Sequence, residues 1–88
     1  MSKLNRFLIQ NDLAEPAILN IEPEGIFVTL ASGNEVAVID EYSSEPVTVT
    51  LDKSSDGRTI LSIWPGDGVV RVEQDGVDIL GRETISVR

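Results

Sequence analysis

The side chains of this 88-residue chain that could do chemistry are carboxylates and hydroxyls, because the chain contains no Cys and no His. Without these two residue types, neither a Ser–His or Cys–His nucleophile pair nor a thiolate metal site can form. Ser54 and Ser55 follow Lys53, but the Asp and Gly residues around them predict an exposed loop, where a lysine is a poor general base. No glycine-rich phosphate loop leads into a helical pattern. We therefore expect no enzyme activity and no catalytic residue.

The carboxylates are unevenly distributed along the chain. Residues 12–57 hold ten acids and a single base, Lys53, and the whole chain carries a formal net charge of −8. Such a charge repels nucleic acid phosphates and anionic membrane surfaces, so we expect neither as a partner. It attracts cations or a basic protein, and it also keeps a small domain soluble without any ligand.

Several acids and both large polar aromatics fall in or beside alternate turns. If successive strands run in opposite directions, the turns at 23–25, 41–46 and 65–68 lie at the same end of the domain. Glu45 belongs to this group as a further acid. The candidate ligand or partner end therefore comprises Glu22, Glu24, Asp40, Glu41, Tyr42, Trp64 and Asp67.

Two ligand classes suit such an end. Oxygen ligands carried on loops are what Ca²⁺ prefers, although the chain has no twelve-residue calcium-binding loop. Tyr42 and Trp64 could instead provide flat contact area for a sugar. Against both, scattered surface acids are ordinarily solvated, and Trp64 could pack as a partly buried residue against the Pro-Gly turn that follows it. The sequence assigns no metal ligand and no cofactor.

The elements that must position these residues are short strands. β-Branched runs separated by turn signals about every 8–12 residues predict an all-β fold of about seven to nine strands. We expect one domain, residues 1–88, built as a small antiparallel β-sandwich or partly open barrel. The segment 58–80 predicts three consecutive antiparallel strands, with a type I′ turn at Asp75-Gly76. The predicted strands span residues 3–10, 17–22, 26–30, 35–40, 47–51, 59–64, 69–74 and 77–80, with a short terminal strand around Ile85 and Val87.

Period-two alternation identifies the candidate core, and the cleanest example is the run from Val47 to Leu51. In the strand at 3–10, apolar residues occupy both faces, so the pattern leaves its buried face open; in the strand at 35–40, Val36 and Val38 lie on one face and Ala37 and Ile39 on the other. The residues predicted to be most buried are Leu19, Ile21, Val28, Leu30, Val47, Val49, Leu51, Leu61, Ile63, Val70, Val72, Val77 and Ile79.

The sequence favours a non-catalytic protein-interaction or structural module, with the Ca²⁺ or carbohydrate module as the alternative. Ile18, Phe27, Ile39 and Val69 fall on the outer faces of their strands. They form either an apolar patch or a second buried layer. A patch, or an unpaired edge strand, would serve a protein partner or a symmetric dimer. The apolar run at 7–9 is too short for a signal peptide or a membrane span, so we expect a cytoplasmic protein.

Overall fold

The computed structural model describes residues 2–79, and its fold is all-β. Eight strands form two four-stranded sheets that pack as a sandwich-like domain, which confirms the predicted fold class. These residues include no helix long and apolar enough to cross a membrane. The strands are β1 (Lys3–Gln10), β2 (Ala17–Ile21), β3 (Ile26–Leu30), β4 (Glu35–Tyr42), β5 (Thr48–Lys53), β6 (Thr59–Trp64), β7 (Val69–Gln74) and β8 (Val77–Asp78).

The strand order separates the two sheets. Sheet I has the order β1-β4-β7-β8, and sheet II has the order β3-β2-β6-β5. All neighbouring strands are antiparallel except β2 and β6, which are parallel. The parallel pair departs from the purely antiparallel expectation. Each strand reverses the direction of the strand before it in the chain, so two even-numbered strands placed side by side must run the same way.

The segment predicted to hold three consecutive antiparallel strands is divided between the sheets. β6 lies in sheet II and β7 in sheet I, so these two strands do not pair and that part of the prediction is wrong. The turn at 65–68 crosses from one sheet to the other. A Cβ atom added at Gly66 would overlap the carbonyl oxygen of Glu45, and one added at Gly68 would overlap that of Glu41. The two glycines are therefore needed for close backbone packing at the crossing.

The Asp75-Gly76 turn has the predicted geometry. Both residues have positive φ, 54° and 80°, as a type I′ turn requires. It joins β7 to the two-residue strand β8 at the edge of sheet I. Leu80 and the predicted terminal strand around Ile85 and Val87 lie outside the described residues.

The core lies between the inner faces of the two sheets. It is centred on Leu19, Ile21, Leu30, Val36, Val38, Ile63, Val70 and Val72. Six of these were predicted; Val36 and Val38 show that β4 buries its even-numbered face as far as Asp40. Val28, Val47, Leu61 and Ile79 are partly buried against this cluster.

Three members of the predicted core are exposed instead: Val49 at 36%, Leu51 at 75% and Val77 at 64% of their full area. Val49 pairs with Ile63 and Leu51 with Leu61, so both side chains are on the core-facing side of sheet II. However, β5 is the outermost strand of that sheet, and the core does not extend beneath it. Val77 lies on β8 at the edge of sheet I.

Asn11 organises the end opposite the candidate ligand end. It is only 4% exposed, and its side-chain amide donates to the carbonyl oxygens of Glu15 and Leu30, each at 2.9 Å. Its Oδ1 accepts from the Leu13 N–H at 2.9 Å. Its own N–H donates to the Asn34 carbonyl at 2.9 Å. One side chain thus joins the β1–β2 connection to the end of β3.

Candidate functional site

The three turns predicted to share one end of the domain do meet there. The Glu22 N–H donates to the Ile63 carbonyl at 2.9 Å, next to Trp64 at the end of β6. The Asp67 N–H donates to the Glu45 carbonyl at 3.0 Å. The connections β2–β3, β4–β5 and β6–β7 share one end because each strand reverses the direction of the strand before it. These two hydrogen bonds link the connections to one another. We call this the acidic loop end.

Asp67 acts as a clamp on the neighbouring loop. Its two carboxylate oxygens accept hydrogen bonds from the backbone N–H groups of Ser43, Ser44 and Glu45 at 2.9–3.1 Å. The Ser44 hydroxyl adds a further bond at 2.9 Å. The Ser44 N–H, followed by that of Ser43, lowers the pKa of Asp67 well below the usual aspartate range. Both oxygens are therefore committed to holding the 43–45 loop.

Asp40 lies beneath the acidic loop end rather than on its surface. Its side chain is fully buried on the inner face of β4, between the positions of Asn5 and Val70 in the ladder. Its Oδ2 accepts the Val47 N–H at 2.8 Å, while Oδ1 has no hydrogen-bond partner among the described residues. Asp40 thus anchors the chain where it leaves the 43–46 loop for β5.

The remaining acids are dispersed over the surface. A Glu22 carboxylate oxygen accepts from the side-chain amide of Asn20 at 2.7 Å. Glu41 and Glu24 are exposed, and the Ser2 hydroxyl is 3.4 Å from Glu41 Oε2. Within residues 2–79, no three acidic side chains come close enough together to hold a metal ion.

The two aromatic residues lie on different faces of the two sheets. Tyr42 continues the inner face of β4, and the Lys3 Nζ atom lies 5.8 Å from the centre of its ring. Trp64 shares the outer face of β6 with Ile60 and Ser62, and it is 45% exposed.

Shallow hollows flank both ends. One of ≈ 240 Å³ at the acidic loop end is lined by Pro23, Pro65, Val69 and the turn glycine Gly68, among others. A larger one of ≈ 400 Å³ opens at the opposite end between Pro16, Thr29 and the 56–58 loop. Neither combines an enclosed shape with converging catalytic groups.

The outer-face apolar residues do not form one patch. Ile18 and Phe27 belong to sheet II, whereas Ile39 and Val69 belong to sheet I, so they point in opposite directions. Ile39 and Ile18 are half-buried, while Phe27 and Val69 are 66% and 61% exposed.

Sequence reasoning missed β5 as an exposed element. All six of its residues are exposed, although its alternation resembles that of a half-buried strand. Its apolar side chains, Val49 and Leu51, lie side by side along the open margin of the core. The signal that distinguishes it is the charged pair Asp52 and Lys53 at its end, because charges are common on edge strands.

Among residues 2–79, β5 pairs only with β6, so its other edge has no strand beside it. The Ser54 N–H donates to the Arg58 carbonyl at 2.9 Å, which continues the β5–β6 ladder. Because hydrogen-bonded positions alternate along an antiparallel ladder, Thr48, Thr50 and Asp52 point their backbone groups at β6. Val49 and Leu51 therefore direct their N–H and C=O groups away from the sheet.

The chain was compared with protein-family models, curated proteins and solved structures. No family model matches it, and no curated protein or solved structure is significantly similar to it.

Proposed function

We propose that this domain is a non-catalytic protein-interaction module and that β5 is its docking element. The observation that carries the proposal is an edge strand whose six residues are all exposed, including Val49 and Leu51. Partners commonly add a strand to such an edge: backbone hydrogen bonds supply affinity, and alternate side chains supply specificity.

The chemistry of β5 supports strand addition over other modes of binding. The outward N–H and C=O groups of Val49 and Leu51 match the spacing of a partner strand, and the two side chains lie on the same face. A partner strand placed there would extend sheet II and cover the margin of the core. Leu51 would bury the most apolar area in such a complex, since 75% of its area is open to solvent in the monomer.

The acidic loop end remains the site of the alternative function, binding of Ca²⁺ or a carbohydrate. Two acids at this end have a structural role, because Asp67 and Asp40 each hold the loop that precedes β5. The exposed Trp64 ring stands as the only indole of the chain, and it reports on any sugar bound beside it.

Selection from a displayed library of short peptides tests the proposed module. Peptides recovered on the wild-type domain should lose binding to Leu51→Lys and keep it on Leu4→Lys. Leu4 is the matched control: it is 73% exposed and also lies on an edge strand, but in the other sheet. Peptides that bind equally well to Leu51→Lys, or that are lost on Leu4→Lys alone, would place docking elsewhere and overturn the proposal.

A further inference from the structure

We propose that the partner of β5 is the β5 strand of a second copy of this chain, paired antiparallel about a two-fold axis through Thr50. The inference rests on the proposed function, because it names the occupant of the same edge. Pairing of this kind joins two copies of sheet II into one continuous eight-stranded sheet.

The outward backbone groups restrict the possible registers, and the axis through Thr50 is one that they allow. Only residues with outward groups can form the hydrogen-bonded pairs of a new ladder, and on β5 these are Val49, Leu51 and Lys53. A two-fold axis through Thr50 places Val49 of each copy opposite Leu51 of the other. Each pair exchanges two hydrogen bonds, so four backbone bonds join the copies. The outward N–H of Lys53 is already occupied by the Asp52 carboxylate at 2.7 Å, which limits the ladder at that end.

The side chains agree with this register. Opposite residues in an antiparallel pair lie on the same face, so the exposed Val49 and Leu51 of both copies meet on the core-facing side. The two apolar margins then cover one another. On the outer face, Thr50 lies directly opposite its own equivalent, which is a favourable cross-strand pair.

Local charge favours a second copy over a basic peptide. The chain is strongly acidic, but β5 carries one acid and one base, and Lys53 is the only base between residues 12 and 57. In the two-fold register, Lys53 of each copy lies opposite Val47 of the other, two residues along the chain from the exposed Glu45. A basic strand would instead meet Lys53 as a like charge.

The net charge opposes association at long range. Two copies at −8 repel each other, and this repulsion is screened beyond about 8 Å at physiological ionic strength. Added NaCl should therefore strengthen the dimer, whereas it weakens binding of a basic partner. Because two short edges bury little area, dimer formation is expected at high protein concentration.

Disulfide trapping tests the register directly, since the wild-type chain has no Cys. Non-hydrogen-bonded antiparallel pairs bring Cα atoms to about 4.5 Å, within the range that a disulfide spans. Under oxidised glutathione, Thr50→Cys should form a covalent dimer at least tenfold faster than Thr48→Cys. Thr48 is the matched control, on the same strand and face, but its two equivalents lie more than about 12 Å apart in this register.

Sedimentation velocity and amide hydrogen exchange provide the second readout. The 9.6 kDa mass should double as concentration and NaCl rise. Leu51→Pro should abolish this doubling, because it removes an outward N–H without removing a bond to β6. Leu51→Lys should do the same, and Leu4→Lys should not. The Val49 and Leu51 amides should become protected only as the dimer forms, while those of Thr48 and Thr50 are protected throughout.

The outcomes separate the two proposals. A chain that stays monomeric with unprotected Val49 and Leu51 amides overturns self-pairing and leaves β5 open for the peptides selected above. Dimers that survive Leu51→Pro, or equal trapping at positions 48 and 50, place the interface elsewhere and also overturn it. Protection of both amides in dilute monomer means that the chain covers its own edge, which overturns the docking proposal as well.

Discussion

Two polar side chains stabilise the opposite ends of this domain by satisfying several backbone groups at once. Asn11 connects the β1–β2 loop to the end of β3, and Asp67 holds the 43–45 loop against the β6–β7 turn. Short polar side chains suit this task, because they reach backbone groups a few ångströms away at little cost in side-chain entropy. These two residues therefore fix loops at opposite ends of the domain.

Asn11→Ala tests the first of these side chains. The substitution leaves the carbonyls of Glu15 and Leu30 and the N–H of Leu13 without their partners. The free energy of unfolding should fall by about 1–3 kcal/mol, as expected for buried polar groups left unsatisfied. Urea denaturation measures it, with Gln10→Ala as the exposed control. A loss no larger than that of Gln10→Ala would contradict this assignment.

Asp67 predicts a pH dependence of stability. Hydrogen bonds to its carboxylate depress its folded-state pKa, so its contribution is complete above the unfolded-state pKa of about 3.9 and is lost as the pH falls through the folded-state value. Asp67→Asn should lower the free energy of unfolding by a constant amount from about pH 7 to pH 5. Below about pH 4, the difference in this free energy between wild type and Asp67→Asn should become smaller.

Urea denaturation at several pH values measures this gap. Asp12→Asn, on a different loop, controls for the loss of one negative charge. A gap between wild type and Asp67→Asn that is as wide at low pH as at neutral pH would mean that the Asp67 carboxylate is not the group that holds the loop.

At the scale of elements, position within a sheet decides what an alternating pattern means. β5 and β2 both alternate apolar residues, yet β2 is central and buried while β5 is an edge strand and exposed. β4 has apolar residues on both faces and lies second in sheet I, where both of its neighbours pair with it. How far a strand is buried depends on how many strands lie beside and across from it. A short stretch of sequence does not reveal that number.

Val38→Ala and Val49→Ala compare a central with an edge position for the same chemical change. Val38 is fully buried, so removing two methyl groups should lower the free energy of unfolding by about 2–3 kcal/mol. Val49 is 36% exposed, and its truncation should cost less than about 1 kcal/mol in the monomer. Urea denaturation at low protein concentration measures both. Equal losses would show that β5 is covered as well as β4.

The crossing between the sheets depends on close backbone packing at Gly68. Gly68→Ala should be strongly destabilising, because the added methyl group overlaps the carbonyl of Glu41 and the backbone must move apart. Gly76→Ala is the comparison, because a Cβ atom at Gly76 meets no neighbouring atom. This substitution should lower the free energy of unfolding only through the strain of a positive φ, about 1 kcal/mol. A smaller shift in the melting temperature for Gly68→Ala than for Gly76→Ala would contradict the crowding at this turn.

At the scale of the whole molecule, the net charge of −8 is spread over a small surface. Cations should stabilise such a domain by screening the repulsion among its acids. We expect Ca²⁺ and Mg²⁺ to raise the melting temperature equally and weakly, and NaCl at matched ionic strength to reproduce most of the effect.

The same melting experiment decides the calcium alternative. A real Ca²⁺ site stabilises the native state by about 2.7 kcal/mol at a hundredfold excess over the dissociation constant, and Mg²⁺ does less. Selective stabilisation by Ca²⁺ that is abolished by Glu24→Gln with Glu41→Gln would favour the alternative over the interaction module. A screen of sugars against Trp64 emission tests the carbohydrate form.

The local features of this protein were accessible from its sequence. Turn residues and β-branched runs predict eight strands with bounds close to those observed. They can do so because turn chemistry and strand propensity depend on only a few neighbouring residues. Strict reversal of direction at each turn then placed the connections 23–25, 41–46 and 65–68 at one end. The Asp75-Gly76 turn is the sharpest example, since only residues that tolerate positive φ fit it.

Only the tertiary structure decided which strands are neighbours. Pairing joins residues far apart in the chain, and its energy comes from packing between sheets rather than from any local pattern. Separation of β6 from β7, the parallel pairing of β2 with β6 and the edge position of β5 all follow from that packing. The same packing turned Val49 and Leu51 from predicted core residues into an open margin, because a strand with a neighbour on one side only has half of its backbone and much of its apolar face uncovered.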